Sequence, residues 1–266
     1  MRVIYLLLNI LLIITGCTQN GSNLAERIDR HTIPELLVYC ENGMVSPVME
    51  ISAIFEVQYN CKVRVHNDCA RNIINTINYS NKGDIFIPDS RSAISWLKQS
   101  DSLSIIDSLY IGMNKMVLIV KKDNPSLFNG QLASLTDPKH AVALANPETS
   151  SLGFETMQLL VDNNIYNETM LNVMTLTVDS KGLLRSVIND EAFVAIDWLT
   201  SHIGKEIEIE TFNICKKNGN PEVYATLLRS SEYLGLAYSF MAMLSSSQSL
   251  EIFAKYGIEK QKTTIL

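Results

Sequence analysis

The chain has 266 residues, of which 47% are hydrophobic and 19% are charged, and its formal net charge is −6. This apolar content excludes an intrinsically disordered chain, and the length allows one long or two medium-sized domains. The negative charge argues against the nucleic-acid-binding class, because a protein that neutralises phosphates needs a basic face.

The N-terminus carries the features of a lipoprotein signal peptide. Arg2 precedes an apolar run over residues 3–14, which is shorter than the roughly 20 residues that span a bilayer. The next residues, ITGC, end at Cys17 and resemble the lipobox of bacterial lipoproteins, in which the cysteine is acylated. We expect a signal peptide over 1–16, a lipid-anchored linker over 17–31 and an extracytoplasmic, membrane-anchored protein. An ordinary signal peptide with an incidental cysteine is the alternative.

Beyond the predicted lipidation site, four cysteines remain: Cys40, Cys61, Cys69 and Cys215. In an exported protein these thiols could form disulfide bonds, for example between Cys40 and Cys69. No C-x-x-C pair occurs in the sequence, which argues against a zinc ribbon and against a thioredoxin-type centre. The sequence leaves the pairing of the four thiols open.

Short apolar runs alternate with amphipathic stretches in the first part of the chain, which predicts strands and helices in turn. The predicted strands are residues 35–40, 61–66 and 83–90, and the predicted helices are residues 46–59, 69–80 and 91–100. Ser46 is the expected N-cap of the first helix and Pro47 its first residue. This cadence of strand and helix predicts a mostly parallel sheet flanked by helices.

A long apolar strand region over residues 108–125 follows, and the alternation then resumes. The predicted segments up to residue 198 are strands at 140–147, 173–178 and 192–198 and helices at 153–164 and 181–190. The remaining predicted segments are β-rich runs at 206–214 and 222–228 and helices at 232–249 and 251–258.

From these elements we predict an α/β fold with two lobes. Each lobe is a mostly parallel sheet flanked by helices, and two crossing hinge segments join the lobes. Lobe 1 comprises residues 32–113 and 220–266, and lobe 2 comprises residues 114–219.

Four loops follow predicted strands and lead into helix N-termini. They are residues 40–46, 66–71, 146–153 and 178–182. In open parallel sheets, ligands bind at the carboxyl ends of the strands. Each helix N-terminus offers free N–H groups and roughly half a positive charge. Four such N-termini facing one cleft favour a small anion as the ligand.

Four segments, LLVYCENGM, GDIFIPDS, ALANPETSSLGFETMQLL and DSKGLLRSVINDEAFVAIDW, occur in the order and spacing of a known family. Through them the chain, from about Leu36 to Ile258, resembles the periplasmic binding proteins of molybdate ABC transporters. The resemblance implies the two-lobed type II periplasmic binding protein fold. It also implies a monomer without a cofactor that captures a small oxyanion, such as molybdate or tungstate, and delivers it to an ABC transporter permease.

The resemblance also places the ligand-binding positions. The two positions at which the family presents hydroxyl groups fall at Gly43 and Ala70, which keep the small size and the backbone donors but lack the hydroxyls. The remaining positions fall at Leu152 and Gly153, Ser180, and Trp198 in place of a tyrosine.

Residues beside the first two positions are further candidate ligands. They are Asn42, Met44, Asn67, Cys69 and Arg71. The guanidinium of Arg71 suits a doubly charged oxyanion or a carboxylate, because it can donate two hydrogen bonds at once.

The same loops contain a mixed sulfur, nitrogen and oxygen set that suits a metal ion: Cys40, Glu41, His66, Asp68 and Cys69. The alternative function is therefore a metal-binding or sensory lipoprotein. A third interpretation is that these residues are unpaired polar groups at the rim of a diverged binding site.

Enzymatic function has little support in the sequence. No G-x-S-x-G nucleophile motif occurs, and His66 is the only one of the four histidines on a cleft loop. We therefore expect a binding protein that catalyses no reaction.

Overall fold

The computed structural model describes residues 33–204, 207–214 and 220–260. Within these residues the strands form two five-stranded sheets. The first sheet contains β1 (Glu35–Glu41), β2 (Lys62–Asp68), β3 (Ile85–Ile87), β4 (Ile105–Met113) and β10 (Glu222–Leu228). Its order is β2-β1-β3-β10-β4. Four of its strands run in one direction, and β10 runs in the opposite direction between β3 and β4.

The second sheet repeats this arrangement. It contains β5 (Met116–Lys121), β6 (Val142–Ala145), β7 (Val173–Thr177), β8 (Val194–Trp198) and β9 (Ile209–Asn213). Its order is β7-β6-β8-β5-β9, and β5 runs in the opposite direction to the other four strands.

Helices follow most of the parallel strands, as the alternating sequence pattern predicts. They are α1 (Val45–Tyr59), α2 (Ala70–Ser80), α3 (Arg91–Ser100), α4 (Ser151–Asp162), α5 (Tyr166–Met170), α6 (Ser180–Ile188), α7 (Leu234–Leu244) and α8 (Ser247–Lys255). Short 3₁₀ helices lie at Asn42–Met44, Leu132–Thr136 and Leu199–Ser201.

Both faces of the first sheet are buried. Leu36, Val38 and Cys40 of β1 pack into a core with α1, α7 and α8, whereas Tyr39 lies in a separate cluster with α2 and α3. This division follows from the alternation of side chains along a strand. In the second sheet, every residue of β5 except Lys121 is buried. A continuous apolar strand of this kind is typical of a sheet covered on both faces.

The chain crosses between the sheets twice. It passes from β4 to β5 through Asn114 and Lys115, and it returns between β9 and β10. The Asn114 N–H donates to the Pro221 carbonyl at 2.8 Å, so the two crossing segments are hydrogen-bonded to each other. We refer to each sheet with its helices as the first and second lobe.

Some element boundaries differ from the prediction. The apolar region over residues 108–125 is two strands, separated where the chain leaves the first sheet. The two helices predicted over 232–249 and 251–258 are α7 and α8, and the break between them lies at Ser245 and Ser246 rather than at residue 250. Helix α1 begins at Val45 rather than Pro47, because a 3₁₀ turn leads directly into it and no side-chain cap is formed.

The predicted signal peptide, the lipidation site at Cys17 and the linker lie outside the described residues, as does Cys215. In the described part of the chain, no helix is both long enough and apolar enough to cross a membrane.

Candidate functional site

A cavity of about 200 Å³ lies between the two lobes. Its lining comes from the loop after β1, the end of β2, the start of α6 and the 3₁₀ helix after β8. The lining residues are Asn42, Gly43, Val45, Ser46, Asn67, Ser180, Lys181, Thr200 and Ser201. The loops that follow parallel strands meet at one cleft, as the topology requires. Four predicted ligand residues are therefore brought together: Asn42, Gly43, Asn67 and Ser180.

The lining of the cavity offers many polar groups, and none of its described residues is a carboxylate. It offers four hydroxyl groups, two side-chain amides and the ammonium group of Lys181. The Asn67 Nδ2–H donates to Asn42 Oδ1 at 2.7 Å, which links two of the lining loops. Thr200 is 3% exposed, and its hydroxyl has no hydrogen-bond partner among the described residues. A buried hydroxyl without a partner is unfavourable, and a ligand atom in the cavity would satisfy it.

Glu41, the last residue of β1, precedes the cavity-lining Asn42 and is 1% exposed. Its Oε1 accepts the Ser151 N–H at 3.0 Å, and its Oε2 accepts the Ser151 hydroxyl at 2.7 Å and the Asp89 N–H at 3.0 Å. The backbone of Ala70 also favours the charged form of this carboxylate. Burial raises the pKa of Glu41, and these hydrogen bonds oppose the increase.

Asp89 is a second buried carboxyl group beside Glu41. Its Oδ2 accepts the Gly43 N–H at 3.2 Å, and its Oδ1 has no partner among the described residues. Burial and the charge of Glu41 raise the pKa of Asp89 well above its ordinary value. Because Glu41 accepts more hydrogen bonds than Asp89 does, the increase in pKa is larger for Asp89.

Replacement of Asp89 by asparagine should change how stability depends on pH. The stabilising contribution of a raised carboxyl pKa is fully present below the ordinary value of 3.8 and is lost as the pH rises through the raised value. Asp89→Asn should therefore unfold at a higher temperature than wild type at pH 8, and the two should converge toward pH 4. Each pKa unit corresponds to about 1.4 kcal/mol. Thermal unfolding from pH 4 to 8 measures this difference.

The control for this prediction is Asp107→Asn, because Asp107 lies exposed on β4. It should retain the wild-type pH profile. A profile of Asp89→Asn that runs parallel to that of wild type over the whole range would contradict a raised pKa of Asp89.

A hydrogen-bond network at the end of β8 positions two of the cavity hydroxyls. Asp197 is fully buried, and its Oδ1 accepts the Ser180 hydroxyl at 2.6 Å and the Trp198 N–H at 2.7 Å. The Ser201 hydroxyl donates to Ser180 Oγ at 3.0 Å. His202 Nε2 lies 2.8 Å from Asp197 Oδ2. The network therefore fixes Ser180 and Ser201 at the cavity wall.

Arg71 does not line the cavity. Its N–H donates to the Thr149 carbonyl at 3.0 Å, and its Nε donates to the Glu148 carbonyl at 3.2 Å. The guanidinium carbon lies 4.8 Å from the centroid of the Trp96 ring. Arg71 thus connects α2 of the first lobe to the loop before α4 of the second lobe.

Other predicted ligand residues also lie away from the cavity. The side chains of Met44, Leu152 and Trp198 are buried in the hydrophobic cores. Cys69 is buried as the N-cap residue of α2. Gly153 lines a separate, largely apolar cavity of about 270 Å³ within the second lobe.

The alternative metal site does not form in the described residues, where no group of three or more His, Cys, Asp or Glu side chains is placed to hold a metal ion. Cys40 points into the core on the α1 face of the sheet, whereas His66 packs against Tyr39 on the other face, with ring centroids 5.5 Å apart. Burial raises the pKa of the Cys40 thiol well above its ordinary value. Cys40 and Cys69 are free thiols, so the disulfide considered from the sequence is absent.

The sequence analysis did not identify several residues of the site. They are Val45, Ser46, Asp89, Ser151, Lys181, Thr200 and Ser201. Lys181 and Ser46 were detectable in principle, because each belongs to one of the four loops predicted to lead into a helix N-terminus. The interaction of Asp89 with the first loop also explains the glycine there, since a Cβ on Gly43 would lie 2.8 Å from Asp89 Oδ1. A side chain at that position would require Asp89 to move.

A comparison with protein families supports a role in solute binding. The profile of a family described as bacterial extracellular solute-binding proteins matches residues 36–259. No curated protein matches the chain in a sequence comparison.

Solved structures with the same fold bind different solutes. The periplasmic molybdate-binding protein of Azotobacter vinelandii is 13% identical, covers 85% of this chain and 100% of its own, and superposes with a TM-score of 0.72. Peb3 from Campylobacter jejuni is 17% identical, with coverages of 85% and 100% and a TM-score of 0.69. Iron-bound HitA from Pseudomonas aeruginosa is 14% identical, with coverages of 87% and 88% and a TM-score of 0.65. At these identities the similarity confirms the fold alone, the two-lobed type II periplasmic binding protein fold.

Proposed function

Because the chain belongs to the family of bacterial extracellular solute-binding proteins, we propose that it captures a small oxyanion in the cavity between its lobes and presents it to an ABC transporter permease. In this proposal the protein is extracytoplasmic and is held at the membrane by acylation of Cys17. A dianion of the molybdate or tungstate type is the first ligand class to consider, as the sequence resemblance predicts.

The observation that carries the proposal is the lining of the cavity by both lobes. Asn42, Gly43 and Asn67 belong to the first lobe, whereas Ser180 and Thr200 belong to the second. A solute held by groups from both lobes stabilises the closed arrangement, which is how binding is coupled to a conformational change. The hydrogen-bonded crossing segments at Asn114 and Pro221 provide the hinge.

The size and charge of the cavity favour a small anion. About 200 Å³ is below the usual range of pockets for drug-sized ligands. The hydroxyl groups of Ser46 and Thr200, the two side-chain amides and one ammonium group can donate hydrogen bonds to an oxyanion, and no carboxylate in the described lining repels it. The neighbouring Glu41 carboxylate already accepts three hydrogen bonds, and burial raises the pKa of Asp89, so both oppose an anion less than free carboxylates would.

The hydroxyl groups of the site lack the arrangement that nucleophilic catalysis needs. In a catalytic triad the imidazole contacts the nucleophilic hydroxyl and the carboxylate lies behind it. Here Asp197 lies between Ser180 and His202, so the imidazole contacts the carboxylate and not the Ser180 hydroxyl. This order supports binding without catalysis as part of the proposal.

Thermal unfolding in the presence of single solutes tests the proposed function. A ligand that binds only the folded protein raises Tm in proportion to ln(1 + [L]/Kd). Molybdate, tungstate, sulfate and phosphate should be compared at equal ionic strength, with Zn²⁺ as the test of the metal alternative. A saturable increase with at least one oxyanion supports the proposal. An increase in Tm with Zn²⁺ alone contradicts the proposal, as does the absence of an increase with every solute of the panel.

Replacement of Lys181 by alanine should weaken binding of the responding oxyanion by roughly 10-fold to 100-fold. The reason is that a hydrogen bond to a charged group contributes about 1.5–3 kcal/mol. Isothermal titration calorimetry of the purified protein measures the change in Kd.

Two variants serve as controls for Lys181→Ala. Lys181→Arg keeps the positive charge and should retain most of the affinity. Lys98→Ala removes an exposed lysine that does not line the cavity and should bind as wild type does. An unchanged Kd for Lys181→Ala would show that the anion lies elsewhere in the protein.

A further inference from the structure

The carboxylate of Glu41 is surrounded in the manner of a bound anion. It accepts hydrogen bonds from the N–H and hydroxyl of Ser151 and from the N–H of Asp89, and the backbone of Ala70 also favours its charged form. In the described part of the chain no lysine, arginine or histidine pairs with it. A buried carboxylate is normally paired with a cation or neutralised. Here backbone N–H groups and a serine hydroxyl bind it instead, as they would bind an anion in an anion-binding site.

The donors come from both lobes. Asp89 follows β3 in the first lobe, and Ser151 is the first residue of α4 in the second lobe. Ser151 lies at a helix N-terminus, where free N–H groups and the helix dipole favour negative charge. Glu41 itself belongs to β1, so its bonds to Ser151 cross from one lobe to the other.

These donors coincide with the loops that the family resemblance assigns to a free oxyanion. One predicted position is Ala70, and Ser151 immediately precedes the predicted positions Leu152 and Gly153. The Glu41 carboxylate therefore lies where a dissolved anion was expected. The orientation is set by the strand, because Glu41 and Tyr39 share the face of β1 that is covered by α2 and α3.

We propose that Glu41 is a tethered anion, which fills a carboxylate-binding site formed by backbone donors of both lobes and holds the lobes together when no solute is bound. The free solute is then excluded from these donors and uses the adjacent cavity. The contacts of Arg71 with Thr149 and Glu148 support the same closed arrangement. The inference goes beyond the proposed function, because it holds whichever solute the cavity accepts.

Chemical rescue tests the tethered anion. Glu41→Ala removes the carboxylate and should leave a vacant site, so the variant should unfold at a lower temperature than wild type. Sodium acetate or formate should then raise its Tm in a saturable way, by about 3–6 °C at ten times the Kd. Sodium chloride at the same ionic strength should not, and wild type should respond equally to all three salts.

The matched control is Glu56→Ala. Glu56 Oε1 accepts the Val63 N–H at 2.7 Å within the first lobe, so its removal also deletes a carboxylate that is bound to a backbone donor. This variant should lose stability without a specific response to acetate. If Glu41→Ala responds no more to acetate or formate than to chloride, the tethered-anion inference is overturned.

A second variant decides the question if Glu41→Ala does not fold. Glu41→Gln keeps the size of the side chain but presents an NH₂ group to N–H donors, so the lobes should separate. Small-angle X-ray scattering should then give a larger radius of gyration than wild type, and an unchanged radius overturns the inference. These measurements need no solute. They therefore still test the tethered anion if no oxyanion of the panel binds.

Discussion

Asp197→Ala should lower the stability of the protein by about 3–5 kcal/mol, because it leaves several buried hydrogen-bonding groups without their partner. Asp197 and His202 have side chains that are 0% and 1% exposed, and their contact is 2.8 Å. The substitution also leaves the Ser180 hydroxyl and the Trp198 N–H without their acceptor. For a domain of this size the expected decrease in Tm is roughly 6–20 °C. Calorimetry or circular dichroism measures it.

Two further variants identify the cause of this loss. Asp197→Asn keeps an acceptor oxygen for Ser180 and should be less destabilising than Asp197→Ala. Glu35→Ala removes an exposed carboxylate that lies 3.1 Å from Arg64 and should leave Tm almost unchanged, since exposed ion pairs contribute little. Equal losses for Asp197→Ala and Glu35→Ala would mean that the buried network does not stabilise the second lobe.

The strands and helices of this protein were predictable because each depends mainly on its own sequence. The apolar run from Met116 to Val120 is buried whichever neighbours it has, and the spacing of Ile73, Ile74 and Ile77 places them on one face of α2. The lobe boundary was placed between residues 113 and 114, but the division of the apolar region over 108–125 into β4 and β5 was not predicted. The position of this break is set by the crossing to the second sheet, which is a property of the tertiary structure. At the break the Asn114 N–H donates to the Pro221 carbonyl.

The position of the cleft was predictable for a topological reason. The loops that follow parallel strands meet at one edge, so Asn42, Asn67 and Ser180 were expected to converge, and the structure places them at one cavity. Single contacts were not predictable in the same way. Cys40 and Glu41 are adjacent in sequence but point to opposite faces of β1, and only the paired neighbours of the strand decide which face meets the cleft.

The role of Glu41 depended on a contact across 110 positions of sequence, from β1 to Ser151. From the sequence alone, a carboxylate on a cleft loop can be interpreted either as a metal ligand or as a residue at the rim of the site. The backbone donors that distinguish these roles have no signature in the sequence, because every residue except proline carries an N–H. This is why the residue was assigned to the metal alternative rather than to the anion site.

Gly153→Ala should destabilise the second lobe by about 3 kcal/mol or more, which is the upper range for overpacking in a well-packed region. A Cβ at this position would overlap the carbonyl group of Asn146 and lie 2.6 Å from the Ala145 carbonyl oxygen. These neighbours are backbone atoms, so no side chain can rotate away to relieve the contact. The loop after β6 would have to move from α4, and Ser151 would move with it. The variant should therefore show a lower Tm in thermal unfolding.

The control separates this contact from the general effect of glycine replacement. Gly235 lies exposed in α7 with no neighbouring atom within 4 Å of an added Cβ. Gly235→Ala should leave stability unchanged or increase it by about 0.5–1 kcal/mol, because alanine favours a helix and reduces the freedom of the unfolded chain. Similar Tm values for the two variants would contradict the close approach of α4 to the loop after β6. That approach positions Ser151, so its absence would also remove the second-lobe donor to Glu41.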